Sequence, residues 1–322
     1  MTLAIVSSLM GLAALIAGAE WLVRGGSALA ARLGVSPLLI GLTIVALGTS
    51  TPELAVGIEA ALQGNGSLAV GNIAGTNTVN ILLILGLSAM LQPLAIRMQT
   101  LRLELPVIVI ASAALLVFAW DGVLSRLEGL FLITMGMAFT LTVIRVARRE
   151  SITVKLEFAR EFAAPRFSRR HGFSAMAMLA IGLVVIVVGA NWLVDGAVAL
   201  ARLWNVSDAF IGLTIVAIGT SAPELVTTII STIRGERDIA IGNLIGSSVY
   251  NILVILGAAC LFPSNGIEVS AQLIRVDIPV MLGVALACIP VFISGRQISR
   301  FEGGMFVSAY LLYLAYLIND RI

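Results

Sequence analysis

Ten long apolar segments take up most of this 322-residue chain. A helix that crosses the hydrocarbon core of a bilayer needs about 20 apolar residues, and each segment approaches or exceeds that length. The composition agrees, because only 12% of the residues are charged, compared with about 25% in soluble domains. We therefore predict an all-α polytopic membrane protein with ten transmembrane helices. The ten segments are 3–23, 36–62, 68–91, 104–120, 125–147, 172–194, 207–233, 239–262, 274–293 and 301–318.

The ten segments form two similar halves. The stretch "GLTIVALGTSTPEL" at 41–54 recurs as "GLTIVAIGTSAPEL" at 212–225, and "GNIAGTNTVNILLILG" at 71–86 recurs as "GNLIGSSVYNILVILG" at 242–257. Each half holds five segments, an odd number, so the halves must be inverted relative to each other. Such inverted repeats are typical of secondary transporters. The predicted units are a first repeat at 1–147, a linker at 148–171 and a second repeat at 172–322.

The basic residues predict the orientation of the chain. Sixteen of the 20 Lys and Arg residues lie in the loops that follow odd-numbered segments. Loops rich in Lys and Arg stay in the cytoplasm. We expect a multi-pass protein of the cell (inner) membrane with both termini non-cytoplasmic and the linker cytoplasmic. The lipid bilayer is then its surroundings, and nothing in the sequence indicates nucleic acid or an obligate protein partner.

A proline and a glutamate interrupt each copy of the first motif. Pro52 and Pro223 lack a backbone N–H, so they should break segments 2 and 7. An ionised Glu53 or Glu224 in the membrane costs at least about 2.5–3.5 kcal/mol. Segments 2, 3, 7 and 8 contain no Lys, Arg or His. The counter-charge must therefore be a proton or a bound cation.

The oxygen atoms of these segments suit calcium, which takes six to eight oxygen ligands. Two bidentate carboxylates, Glu53 and Glu224, supply four, and the carbonyls of Thr49 and Thr220 complete six. No thiolate or imidazole cluster accompanies them, which argues against zinc or copper. Further polar side chains lie four residues apart, and so on one helix face, in the pairs Thr76 with Asn80 and Ser247 with Asn251. Asn72 and Asn243 each follow a glycine near a predicted helix start, a pattern typical of an N-cap.

The motifs "GTSTPEL" and "GTSAPEL", each followed by "GN…G(T/S)…NIL…LG", resemble the two α-repeats of the sodium/calcium exchangers in the cation/calcium antiporter superfamily. The resemblance implies a Ca²⁺ ion at Glu53 and Glu224, bound also by the Thr49 and Thr220 carbonyls. It also implies that the first and sixth helices slide across the rest of the protein and expose the site to each side in turn. The implied sodium sites use Ser50, Ser221, Thr76, Ser247 and the carbonyls of Ala46 and Ala217.

One position departs from the resemblance. Many exchangers of this type carry an aspartate where this chain has Asn251, which leaves a fixed charge of about −2 from the two glutamates. The departure leaves open whether Na⁺ or H⁺ is the driving ion. Because the two side chains are nearly isosteric, the sequence alone predicts that Asn251→Asp is tolerated.

The predicted function is a secondary antiporter that extrudes Ca²⁺ in exchange for Na⁺, with no cofactor. The alternative is a Ca²⁺/H⁺ antiporter of the same fold, and a more remote one is a cation channel. An enzyme is not expected, since neither H-E-x-x-H nor G-x-S-x-G occurs.

Overall fold

The computed structural model describes residues 1–148, 170–204 and 217–321. In these residues eight helices are long and apolar enough to cross a membrane, and a bent helix pair makes up to nine. The predicted all-α polytopic class is confirmed. The tenth span stays a prediction, because segment 7 is described only from residue 217 onward. Most of the predicted linker, 148–171, lies outside the described residues.

Twelve helices follow one another along the described chain, six in each half. The first half contains α1 (Thr2–Leu33), α2 (Pro37–Thr49), α3 (Thr51–Leu62), α4 (Gly66–Leu91), α5 (Thr100–Asp121) and α6 (Arg126–Arg148). The second half contains α7 (Arg170–Leu203), α8 (Ala217–Thr220), α9 (Ala222–Ile233), α10 (Arg237–Ala259), α11 (Leu273–Ile293) and α12 (Arg300–Arg321). The predicted segments 3–23 and 172–194 were too short, because hydropathy marks only the apolar part of α1 and α7 and misses their polar ends.

Both copies of the proline motif interrupt a helix two residues before the proline. Ser50 separates α2 from α3 and has φ −82° and ψ 13°. Ser221 separates α8 from α9 with nearly the same angles, φ −85° and ψ 5°. The α2–α3 pair bends by 45° at its break. The proline thus begins a new helix, where its missing N–H is no loss.

Four two-residue strands connect the halves and reveal their inversion. β1 (Leu94–Ala95) pairs antiparallel with β4 (Gln297–Ile298), and β2 (Val123–Leu124) pairs with β3 (Ile267–Glu268). In the repeat, however, β1 corresponds to β3 and β2 to β4. Equivalent loops therefore lie at opposite ends of the molecule. We call the end with β2 and β3 the terminal face, because α1 begins there, and the end with β1 and β4 the linker face.

The helices α1 and α7 form an antiparallel pair with a very close contact. Gly18 of α1 lies against Gly182 and Ile186, and Gly25 lies against Leu179. A β-carbon at Gly18 would come within 2.8 Å of the Gly182 carbonyl oxygen. Small residues are the usual means of close helix contact in membranes. The buried apolar residues of this pair, with a few residues of α2, α9 and α10, form a cluster separate from the larger core.

Candidate functional site

Two buried carboxylates lie where the broken helices meet. Glu53 is in the first turn of α3 and Glu224 is in the first turn of α9. Both side chains are completely buried, and they are close enough to interact electrostatically. Each lies at a helix N-terminus, where the positive end of the helix dipole favours a negative charge. Among the described residues, neither carboxylate forms an ion pair.

Hydroxyl groups from both halves surround Glu224. The Ser50 hydroxyl, which lies at the α2–α3 break, donates to Glu224 Oε1 over 3.0 Å. Thr49 and Ser247 also place their hydroxyls beside this carboxylate. The Ser247 hydroxyl donates to the Ala46 carbonyl oxygen over 3.3 Å. Five of the predicted site residues, from two halves of the chain, therefore come together.

The Glu53 carboxylate has a different environment. Both of its oxygens are buried and have no hydrogen-bond partner within the described chain. The Ser221 hydroxyl and the Asn80 amide are likewise buried without a partner. Buried polar groups are rarely left in this state. A cation would satisfy the unpaired carboxylate oxygens.

A cavity of about 560 Å³ approaches the site from the terminal face. Its outer lining includes Ser67 and Ser270, and its inner lining includes Thr76 and Thr220. Two residues of the predicted cation sites therefore border a space that begins at the surface. Ala217, whose carbonyl is another predicted ligand, is the first residue of α8.

The asparagines Asn80 and Asn251 lie in matching irregular turns. Residues Val79–Leu85 of α4 and Asn251–Leu256 of α10 are π-helical. Such turns occur often at functional sites. Both side chains are fully buried, and the Asn251 Oδ1 atom has no hydrogen-bond partner in the described chain.

The described residues offer few donors to a soft metal. No three His, Cys, Asp or Glu side chains converge anywhere in the described part of the chain. The site instead combines two carboxylates with hydroxyl, amide and carbonyl oxygens. Hard cations such as Ca²⁺ and Na⁺ prefer this ligand type.

The N-cap interpretation of Asn72 and Asn243 was wrong. Both lie inside helices, because α4 begins at Gly66 and α10 at Arg237. The buried Asn243 accepts a hydrogen bond from the Thr49 hydroxyl over 3.0 Å and donates to Thr228 over 3.1 Å. It thus holds the side chain of a residue whose carbonyl is a predicted ligand.

Asn77 is a further polar residue that the sequence analysis missed. It is buried in α4 and hydrogen-bonds both Ser248 and Asn251 of the other half. The only signal in the sequence was an amide in an apolar helix, three residues before Asn80. Its repeat equivalent is Ser248, so the repeat gave no matching amide to draw attention to it.

Comparison with known proteins agrees with this architecture. The family described as sodium/calcium exchanger protein matches residues 3–145 and 174–319. The inner membrane protein YrbG of Escherichia coli is 35% identical over 98% of this chain and 97% of its own. The sodium/calcium exchanger MaX1 of Methanosarcina acetivorans is 31% identical over 96% of this chain and 97% of its own.

A solved structure has the same fold. The sodium–calcium exchanger NCX_Mj, soaked without Na⁺ and Ca²⁺, superimposes with a TM-score of 0.84 at 28% identity, covering 98% of this chain and 99% of that one. The family match spans most of the chain. The chain therefore belongs to the sodium/calcium exchanger protein family, as a multi-pass membrane protein for cation/calcium antiport.

Proposed function

We propose that the protein extrudes Ca²⁺ across the cell (inner) membrane in exchange for Na⁺ by alternating access. The observation that carries the proposal is the buried pair Glu53 and Glu224, which has no basic partner in the described chain. Two like charges in a water-poor site repel each other. A divalent cation between them removes both the repulsion and the cost of burial.

The proposed Ca²⁺ site consists of the two carboxylates and the carbonyls of Thr49 and Thr220. The proposed Na⁺ sites surround it and use oxygen atoms of Ala46, Ser50, Thr76, Asn80, Ala217, Ser221, Ser247 and Asn251. With a fixed charge of about −2, the centre balances one Ca²⁺ or two Na⁺ ions. Binding of one ion type then excludes the other, which is the requirement for exchange.

The cavity supports access from one face at a time. It connects the terminal face with Thr76 and Thr220. At the linker face, by contrast, ion pairs link separate segments of the chain: Arg97 pairs with Asp238, and Arg234 pairs with Glu20 of α1. We propose that the α1–α7 pair slides over the core, which closes the cavity at the terminal face and opens access from the linker face. In our proposal both termini and the cavity are non-cytoplasmic, the linker is cytoplasmic, and the repeats are 1–147 and 172–322.

Sodium is favoured over protons by the neutral oxygens. Three hydroxyl groups surround Glu224, those of Ser50, Thr49 and Ser247. Their oxygen atoms are suitable ligands for a metal ion. A carboxylate that only accepts and releases protons does not need them. MaX1, which is named a sodium/calcium exchanger, covers nearly the whole chain. The Ca²⁺/H⁺ antiporter remains the second candidate, because an unpartnered Glu53 is also able to bind a proton.

Calcium uptake by the purified protein in liposomes distinguishes the Na⁺-driven antiporter from the H⁺-driven one. Liposomes loaded with Na⁺ and diluted into Na⁺-free medium at equal pH on both sides should take up radioactive calcium. Liposomes loaded with K⁺ should not, and a pH gradient without Na⁺ should have no effect. Uptake that follows the pH gradient alone would establish the proton antiporter instead.

A further inference from the structure

A short chain of hydrogen bonds connects the two halves beside the site. The Asn77 Nδ2 atom donates to the backbone carbonyl oxygen of Ser248 over 2.9 Å. The Asn251 Nδ2 atom donates to Asn77 Oδ1 over 3.0 Å. All three residues are buried, with at most 1% of their surface exposed. Water therefore does not compete for these bonds.

The Ser248 carbonyl determines the orientation of both amides. A carbonyl oxygen only accepts, so Asn77 must present its NH₂ group to it. The Asn77 oxygen then faces Asn251, which must present its own NH₂ group in turn. As a result the Asn251 oxygen points away from Asn77, and it has no hydrogen-bond partner in the described chain. Asn251 lies one turn after Ser247, whose hydroxyl is beside Glu224.

We propose that Asn77 is a positioning residue, which holds Asn251 with its oxygen available to the transported cation and selects an amide over an acid at position 251. This inference rests on the proposed function, since it acts on the cation site described above. The arrangement occurs in one half only. Ser248, the repeat equivalent of Asn77, donates to Leu244 in its own helix, and neither amide atom of Asn80 has a partner among the described residues.

The contact reverses the expectation from sequence that Asn251→Asp is tolerated. An aspartate there would place a carboxylate oxygen against Asn77 Oδ1, about 3 Å away, with no proton between them. Asn77 is unable to turn its NH₂ group toward the acid without placing its own oxygen against the Ser248 carbonyl. A serine at position 77 escapes this conflict, because a hydroxyl donates or accepts by rotation. Asn251→Asp should therefore impair the protein, and Asn77→Ser in the same chain should restore it.

The experiment measures calcium uptake by the full-length protein in liposomes, with KM, maximal rate and melting temperature for each variant. Asn77→Ala should raise the KM for Ca²⁺ about tenfold, as is usual when a residue that orients a metal ligand is lost. It should add nothing to Asn251→Ala, because it acts through that side chain. Thr78→Val is the matched control: Thr78 is the buried neighbour in α4, and its hydroxyl donates to the Ala74 carbonyl oxygen of the same helix. Its KM should equal that of wild type.

Three outcomes overturn the inference, and they are distinguishable. An unchanged KM in Asn251→Ala means that Asn251 is not a ligand, so the proposed site itself fails at that residue. A raised KM in Asn251→Ala with an unchanged KM in Asn77→Ala leaves the site intact and removes only the positioning role. Asn251→Asp with wild-type KM removes the selection of the amide. If Asn77→Ala does not fold, the comparison of Asn251→Asp with the Asn77→Ser double variant decides alone.

Discussion

Glu53 and Glu224 are suited to bind a cation because no basic side chain in the described chain neutralises them. Each is fully buried at the start of a helix. Ser50 crosses from one repeat to donate to the glutamate of the other. A single cation bound between these glutamates would therefore contact both halves of the molecule at once.

We expect Glu53→Gln and Glu224→Gln each to abolish calcium transport while the protein stays folded. The amide keeps the shape but removes one of only two charges that attract the ion, and it leaves no basic partner stranded. Radioactive calcium uptake and the melting temperature are the measurements. Glu59→Gln, six residues farther along α3, changes an exposed glutamate that bonds Gln63 and should transport normally. Transport by either buried-site variant would mean that calcium binds elsewhere.

A second prediction concerns pH and Glu236, which precedes α10 at the linker face. Burial raises the pKa of Glu236; the Ser27 hydroxyl lowers it and the nearby Asp238 raises it. The folded state then binds this proton more tightly than the unfolded state, so the protonated form stabilises folding. That stabilisation is complete below the pKa of the unfolded state, about 4.3, and it is lost as the pH rises through the raised pKa of the folded state.

Thermal unfolding from about pH 4 to pH 7 tests the Glu236 prediction across the ordinary carboxyl range. Glu236→Gln should lose less stability than wild type as the pH rises. Glu268→Gln, at an exposed position on the terminal face, is the control and should follow wild type. Parallel curves for Glu236→Gln and wild type would contradict the assignment.

The sequence could reveal the glutamates but not the residues that orient the ligands around them. Glu53 and Glu224 were evident because each occurs in an apolar segment without a basic residue and recurs with the repeat. Asn77 and Asn243 act through contacts with residues more than 150 positions away. A local pattern holds no information on such contacts, so Asn243 was mistaken for an N-cap.

At the scale of helices, the fold depends on breaks and on close contacts. The breaks at Ser50 and Ser221 were predictable, since proline removes a donor wherever it occurs in a helix. The π-helical turns at Asn80 and Asn251 were not, because no residue type encodes them uniquely. The full lengths of α1 and α7 were also missed, since both continue beyond their apolar cores.

We expect Gly18→Ala to destabilise the α1–α7 pair. The added β-carbon would meet backbone atoms of Gly182 and Ile186 at 2.8 Å, and overpacking of this kind costs about 1–3 kcal/mol. Gly304→Ala in α12 is the control, because in the described chain no atom outside the local backbone of α12 lies within 4 Å of its β-carbon position. A lower melting temperature for Gly18→Ala alone is the expected result. Equal melting temperatures would show that the pair adjusts its spacing freely.

At the scale of the whole molecule, the two faces are not equally charged. At the linker face, Arg234 donates to Glu20 of α1 over 2.9 Å. The repeat-equivalent residues at the terminal face are Gln63 and Asn191, which carry no charge. An ion pair thus ties the α1–α7 pair to the core at one face, and in the described part of the chain it has no counterpart at the other. The ion pair therefore stabilises the form in which the cavity is open to the terminal face.

Arg234→Gln should shift the protein toward the form open at the linker face. A partly exposed ion pair contributes up to about 1 kcal/mol, so the shift should be no more than about fivefold. The labelling rate of Ser27→Cys by a membrane-impermeant thiol reagent measures it. Arg24→Gln is the control, because Arg24 and its partner Glu20 both belong to α1 and move together. A larger effect from Arg24→Gln than from Arg234→Gln would contradict this account.

The contacts between the halves also determine how the protein is assembled. Ser50, Asn77 and the strand β1 all find their partners in residues of the second half. A ribosome inserts the first half earlier, so Ser50 and Asn77 must wait in the membrane without those partners. Each waiting polar group is costly in lipid, and domains normally fold as soon as they are made. Neither half is then a complete folding unit, and biosynthesis must protect the first half until the second arrives.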